Sequence, residues 1–349
     1  MMSQKRLIHD LTFDQLEQKI QAMNEPGFRA KQIWVALYQN FISDVGEITT
    51  LGLDLRETLS NEYVFSPLNP VKTLESQDGQ TRKILFTLQD GALIEAVLMF
   101  YDQRRTLCIS TQSGCVLNCS FCATGQMGFT RNLTPGEIVA QVLFFSQQLD
   151  KIEERVTNVV LMGMGEPFLN YDNVIAAVDR LIDPDGMKIG ARRITISTVG
   201  IVPRIKQFAD LGSQVNLAIS LHTVNDDLRT KLMPINKKYP VSSVLDACRY
   251  YLAKTNRRIT FEYALIENVN DSIEEAEALA KHIKDINCHV NLIRLNPTPG
   301  FLEQAAQIDR VQAFRETIES YHIPCTVRVD RGIDIAAGCG QLAVESKSN

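Results

Sequence analysis

Three cysteines stand close together in the run Gly114-Cys115-Val116-Leu117-Asn118-Cys119-Ser120-Phe121-Cys122, at the spacing C-x3-C-x2-C. A structural zinc site normally uses four protein ligands, with its cysteines in C-x2-C pairs. Iron–sulfur clusters are held by cysteine thiolates. Three thiolates in a row suit a [4Fe–4S] cluster whose fourth iron stays open for a substrate. An open iron beside S-adenosylmethionine is the signature of radical chemistry. The plain alternative is a structural zinc, or three cysteines buried for packing, as cysteine often is.

The other residues able to do chemistry fall where expected strands end. The run Gly163-Met164-Gly165-Glu166-Pro167 follows a strand. Its glycines let a backbone approach a ligand, and Glu166 could bond an ammonium; the alternative is a tight strand-to-helix turn. Further strand ends carry Ser197-Thr198, Ser220-Leu221-His222 and Asn296-Pro297. Each alone is an ordinary turn or cap. Together they form a polar ring suited to a cofactor with ribose hydroxyls and a carboxylate. Cys108 reads as a core residue of the first strand. Cys339, between Gly338 and Gly340, reads as a mobile, accessible thiol of the kind that can be a nucleophile. Cys248, Cys288 and Cys325 read as packing, and His222 and His289 as structural histidines. The stretch Arg229-Thr230-Lys231, with Lys237-Lys238, is either a solvated face or a contact for nucleic-acid phosphates.

These residues need a scaffold. Residues 1–70 read as helical, with Thr12 capping one helix and apolar residues at helical spacing over Phe28–Tyr38. From 71 to 100 the pattern becomes a β-hairpin, turning at Gln89-Asp90-Gly91 between Lys83–Leu88 and Leu93–Phe100. Six βα units follow, with strands at Thr106–Thr111, Asn158–Met162, Arg193–Val199, Val215–His222, Arg258–Leu265 and His289–Leu295, then a short strand at Thr326–Val329. The box Thr134-Pro135-Gly136-Glu137 opens the helix after the cysteine loop. Repeated βα units with short connections imply a parallel sheet with helices outside. Six are too few for a closed eight-fold barrel, so the expected fold is α/β, an open partial (β/α)6 barrel over 101–330. A tail over 331–349 carries Cys339.

The bulk numbers fit this plan. A chain of 349 residues is longer than one core usually supports, so an accessory piece is expected. A net charge of −5 makes no announcement of nucleic acid, although a local basic face can exist on an acidic chain. Four of the eight cysteines lie in residues 108–122, which reads as a reduced, metal-binding protein and not a disulfide scaffold. The opening Met1-Met2-Ser3-Gln4-Lys5-Arg6 has no apolar run, so no signal peptide is expected, and no stretch is long and apolar enough for a membrane span.

Four segments carry a resemblance: the cysteine loop with Phe129-Thr130-Arg131-Asn132-Leu133; the run Gly163-Met164-Gly165-Glu166-Pro167-Phe168-Leu169-Asn170-Tyr171-Asp172-Asn173; Lys231-Leu232-Met233-Pro234-Ile235-Asn236; and Asp334-Ile335-Ala336-Ala337-Gly338-Cys339-Gly340-Gln341-Leu342. Together they resemble the RlmN/Cfr family of radical S-adenosylmethionine RNA methyltransferases, over roughly residues 20 to 343 and closer to the RlmN side. One departure is local: this tail reads Ile-Asp-Ile-Ala-Ala-Gly-Cys where the family more usually has Asp-Ala-Ala-Cys.

The resemblance implies a radical SAM partial barrel that methylates C2 of adenosine in 23S rRNA and in tRNA; the Cfr side methylates C8. It implies that Cys115, Cys119 and Cys122 hold a [4Fe–4S] cluster. It implies that Gly165, Glu166, Ser197, Ser220, Leu221, His222 and Asn296 line S-adenosylmethionine, two of which are used per turnover. In the family chemistry Cys339 first accepts a methyl group. That group, made a radical, adds to the adenine, Glu95 takes a proton, and Cys108 attacks the Cys339 sulfur to free the product and leave a disulfide. The implied partners are 23S rRNA, tRNA and an electron donor such as flavodoxin or ferredoxin, with no membrane. A cytoplasmic monomer is expected. A non-catalytic metal-bearing RNA-binding protein is the alternative from a different class.

Overall fold

The computed structural model describes residues 5–343; the first four residues of the opening run and the last six of the tail lie outside them. The centre is a ten-stranded sheet whose strands, in chain order, also lie in spatial order. They are β1 (Asn69–Glu75), β2 (Thr81–Thr87), β3 (Leu93–Tyr101), β4 (Arg104–Cys108), β5 (Asn158–Leu161), β6 (Ile194–Thr198), β7 (Asn216–Ser220), β8 (Ile259–Leu265), β9 (Cys288–Arg294) and β10 (Cys325–Val327). Pairing is antiparallel from β1 to β4 and parallel from β4 to β10.

The helices are α1 (Phe13–Ala22), α2 (Phe28–Tyr38), α3 (Leu53–Glu62), α4 (Ala123–Gln126), α5 (Pro135–Asp150), α6 (Tyr171–Ile182), α7 (Val202–Asp210), α8 (Asp226–Leu232), α9 (Val241–Thr255), α10 (Ile273–Ile283) and α11 (Ile308–Ser320). At α5, Thr134 accepts from the backbone of Glu137 while Glu137 reaches back to the backbone of Thr134, with Pro135 at the first helical position. That reciprocal bonding satisfies amides which have no partner inside the helix. The central strand β8 is covered on both faces, so it is apolar at most positions. On β8, Phe261, Tyr263 and Leu265 are all fully buried. One hydrophobic core runs from Ile8 through the sheet to Leu342, taking in Trp34 of α2 on the way. The Trp34 indole N–H donates to Asp183 at 3.0 Å, fixing α2 to the end of α6.

Three expectations need correction. The extension before the barrel is three strands, not a hairpin, and it is hydrogen-bonded directly to β4 as part of one sheet. The strand expected to run to Thr111 stops at Cys108, where the chain leaves the sheet for the cysteine loop. The stretch Arg229-Thr230-Lys231, read as a solvated face or a phosphate contact, lies in a helix, α8, that buries Arg229.

Candidate active site

The three cysteines are set by a short antiparallel pairing of Gln112–Gly114 with Phe129–Asn132. Gly114 has φ +76, and a Cβ there would lie 2.0 Å from the Gly128 carbonyl oxygen. Only glycine lets the loop close this tightly, and the Cys115 amide then donates to that same oxygen at 2.8 Å. Cys122 stands just before α4, its amide on the Cys119 carbonyl at 3.1 Å. Cys119 is buried in a small apolar cluster with Leu117, Leu232, Met233, Ile266 and Leu295, against which Cys115 and Cys122 pack. Burial pushes the Cys115 thiol up to about 12 and the Cys119 thiol well above its usual value, and the neighbouring thiols push in the same direction.

Cys119 and Cys122 open onto a cavity of about 160 Å³ at the carboxyl ends of the parallel strands. Chemistry in parallel α/β folds gathers at this end. Gly165, Glu166, Ser197, Ser220, His222, Asn296 and Cys339 line the same cavity. Gly165 has φ +99, and a Cβ there would lie 2.5 Å from the Cβ of Gln112. Gln112 also accepts the Glu166 amide at 2.8 Å. The glycine therefore serves packing against the chain leading to the cysteine loop as well as ligand access. The buried Glu166 carboxylate accepts the amides of Val199 and Phe168, each at 2.9 Å. Burial pushes it up to about 7, opposed by Val199, the Thr198 hydroxyl and Phe168. His222 has φ +62, and its Nδ1 accepts the Ala264 amide at 2.9 Å, which puts any proton on Nε2. Burial, helped by Arg229, holds it down to about 3, so the ring is neutral.

Cys339 is the joint between this cavity and a second one. The second is lined by Cys108, Met162, Asn296, Arg328 and Cys339 among others. Cys108 and Cys339 lie far apart in the chain, yet both line this one cavity. Burial pushes Cys108 up to about 12, and Cys339 raises it further while Arg328 lowers it.

Cys339 is not the mobile thiol its glycines suggest. It is half-buried, its carbonyl accepts from Asn296 Nδ2 at 3.0 Å, and its Sγ accepts from Arg328 Nη1 at 3.0 Å. The next carbonyl, on Gly340, takes the Ala123 amide at 2.7 Å, which ties the tail to the cysteine loop. The residues ahead of Cys339 form a short turn, Ile333–Ile335, between left-handed Gly332 and Ala336.

Residues 109–283 match the Radical SAM superfamily, and residues 8–64 match the ribosomal RNA large subunit methyltransferase N-terminal domain. A relative from Chloroflexus aurantiacus is 46% identical over 97% of this chain and 93% of its own length. One from Geobacillus kaustophilus is 46% identical with the same coverages. Both are named "Probable dual-specificity RNA methyltransferase RlmN". The chain belongs to the RlmN family of radical SAM methyltransferases. The crystal structure of a radical SAM methyltransferase from Sphaerobacter thermophilus superposes with a TM-score of 0.94 at 47% identity, covering 97% of this chain and 99% of that one.

For an RlmN-family chain the donor set is the first question. Among the described residues no three His, Cys, Asp or Glu side chains close around a single point as one metal ion requires. A cluster asks for less, one thiolate per iron with the irons apart. Three thiols packed on one small cluster, two of them at an open cavity, fit that demand, and metal binding would displace the protons that burial holds on Cys115 and Cys119.

Three expected site residues line neither cavity: Cys115, which packs on the small apolar cluster behind, Leu221 and Glu95. Leu221 is fully buried in the core, and its carbonyl is taken by Arg229. Glu95 lies on β3 beneath the tail, 3.1 Å from Lys83 Nζ and accepting the Ala343 amide at 3.1 Å. Arg229 is neither solvated nor free for phosphate. It is fully buried and donates to Leu221 O, Val199 O, Ser220 O and Asn236 Oδ1. It joins the ends of β6 and β7 beneath the cavity. The sequence reading missed this strut, and also Glu262 and Arg328, which line the two cavities. A lone charge inside an apolar strand is the signal that could have found Glu262.

Proposed function

We propose that the protein methylates C2 of adenosine in 23S rRNA and in tRNA, using Cys339 as a methyl carrier. One observation carries this reading: the Cys339 sulfur stands on the wall between a cavity lined by Cys119, Cys122 and Glu166 and a second cavity holding Cys108. A carrier must face a methyl donor on one side and a resolving thiol on the other.

A [4Fe–4S] cluster held by Cys115, Cys119 and Cys122 would supply the electron for radical chemistry, drawn from a donor such as flavodoxin or ferredoxin. Gly165, Glu166, Ser197, Ser220, His222 and Asn296 orient S-adenosylmethionine. The sp2 carbon of adenine is a poor nucleophile, so displacement from a sulfonium does not methylate it directly. A thiolate is a good nucleophile. Cys339 therefore takes the methyl first; once radical chemistry has removed one hydrogen atom from that methyl and one electron has left the adduct, its carbon bridges the sulfur and the base. Glu95, ion-paired with Lys83 beneath the tail, takes the proton lost from the adenine, which requires the tail at Ala343 to lift. Cys108 then attacks the Cys339 sulfur, the carbon–sulfur bond breaks with its electron pair left on the carbon, that carbon takes up a proton to become the product methyl, and a Cys108–Cys339 disulfide remains to be reduced. The chain acts as a cytoplasmic monomer in this reading.

Mass spectrometry of nucleosides from 23S rRNA and tRNA treated with the reconstituted protein tests it. The expected product is 2-methyladenosine. 8-Methyladenosine would overturn the regiochemistry, and unmodified RNA from protein of full iron content would overturn the activity.

A further inference from the structure

Arg328 follows β10, and its amide still bonds to Leu292 O of β9 at 2.8 Å. Its backbone is thus fixed by the sheet, and its guanidinium reaches Cys339 Sγ at 3.0 Å. The guanidinium is held in its charged form first by Cys339, then by Glu262, Tyr101 and Cys108. Glu262, from β8, lines the first cavity and accepts from Asn291 Nδ2 at 2.7 Å. Arg328 and Cys108 line the second. One cation therefore stands beside both sulfurs and a buried carboxylate, at the wall where the cavities meet. A planar fork can hold a sulfur and a second acceptor together, which a lysine cannot do as well.

We propose that Arg328 is the positioning residue for Cys339: its guanidinium orients the sulfur, favours its ionisation for the transfer and lets it go once the sulfur is methylated. This rests on the methyl-carrying role proposed above. In the transfer, the Cys339 sulfur lone pair forms a bond to the sulfonium methyl. The methyl–sulfonium bond breaks, and its electron pair stays on the departing thioether. A thiolate and a sulfonium become two neutral thioethers, so charge balances with no oxidant or reductant. A thioether is a weak acceptor. After transfer Arg328 has lost its charged partner on Cys339 and retains Glu262. The S-methyl group is then free to turn.

The test uses the full-length purified protein and two readouts on the peptide that contains Cys339. One is the fraction carrying a methyl group. The other is the rate at which iodoacetamide alkylates the unmethylated fraction at one fixed pH. Removing a charged hydrogen-bond donor in Arg328→Met should slow alkylation by about tenfold or more. The methyl fraction should fall with it, while cluster absorbance stays at the wild-type level. Arg328→Lys, which keeps the charge without the fork, should recover part of both, which a purely structural strut would not require. Wild-type alkylation and methylation in Arg328→Met would overturn the proposal. If that variant does not accumulate folded, Arg328→Gln, a shorter and neutral polar side chain, removes the charge and decides in the same way. Wild-type protein with no methyl on Cys339 would sink the carrier role, while the alkylation comparison would still decide the contact between Arg328 and the sulfur.

Discussion

Replacing Arg229 by Met removes a strut that the sequence disguised as surface charge. The guanidinium donates to three backbone carbonyls, Leu221 at 3.1 Å, Val199 at 2.7 Å and Ser220 at 3.3 Å, and to Asn236 Oδ1 at 2.8 Å. Hydrogen bonds to charged groups contribute about 1.5–3 kcal/mol each, but their sum overstates the loss. Burying the guanidinium is itself unfavourable, as its depression to about 10, chiefly by burial, indicates. Breaking a buried charged network by deleting one partner typically costs about 3–5 kcal/mol. An unfolding entropy of about 2.1 cal/mol/K per residue over the whole chain makes 1 kcal/mol equivalent to about 1.4 °C. The midpoint should therefore drop by about 4–7 °C. Binding of S-adenosylmethionine should weaken as well, because Val199 accepts from Arg229 and donates to Glu166. Thermal unfolding by circular dichroism and calorimetric titration measure the two effects. Lys231→Gln and Lys237→Gln are the controls. Both lysines are exposed, so each should stay within about 0.5 kcal/mol of wild type. An Arg229→Met midpoint as high as those of the controls would refute the strut.

Ala at Cys115, Cys119 or Cys122 should remove the brown chromophore and all methyl transfer; full activity in Cys119→Ala would count decisively against a radical mechanism. Cys339→Ala should keep the chromophore yet transfer no methyl, whereas Cys108→Ala should stall with adenosine attached at Cys339 after nuclease digestion. Normal turnover by Cys108→Ala would reduce Cys108 to a core residue. His9 is fully buried, and burial lowers it to about 4, chiefly against the bond from its Nε2 to Phe65 O, with Arg180 lowering it further. The unfolded chain takes up a proton near the ordinary value while the folded chain resists until about pH 4, so stability is full above pH 6.5 and lost as the pH falls through that window, by about 3 kcal/mol. His9→Gln should flatten the slope of urea stability between pH 6.5 and 4, and an unchanged slope would clear His9 of it.

What the sequence made legible was local. The cysteine spacing, the capping box at Thr134 and the apolar strands are each written within a dozen residues, and the strand-end residues follow once the strands are known. The strand β1 was harder. It is exposed almost throughout and contains Pro70, so it shows no alternation of buried and exposed residues; proline is tolerated there because the strand is at the edge. Arg229 misled for the opposite reason. Its neighbours Thr230 and Lys231 point to a polar helix face, and only the fold shows that Arg229 turns inward alongside Leu232.

Glu262 and Arg328 show where reading along the chain stops. A buried charge needs a partner, so a glutamate within Ile259–Leu265 signals that something must compensate it. The sequence cannot name the compensating residue, because the partners come from other strands and from the tail: Asn291 on β9, Arg328 beyond β10, and through Arg328 the sulfur of Cys339. Nor could it foresee that Cys339 is pinned, since its flanking glycines are compatible with freedom until Asn296 and Arg328 are placed against it. The residues that carry reacting groups announce themselves by type and spacing. Those that hold the reacting groups in place announce only an unmet need, and the register of a parallel sheet decides who meets it.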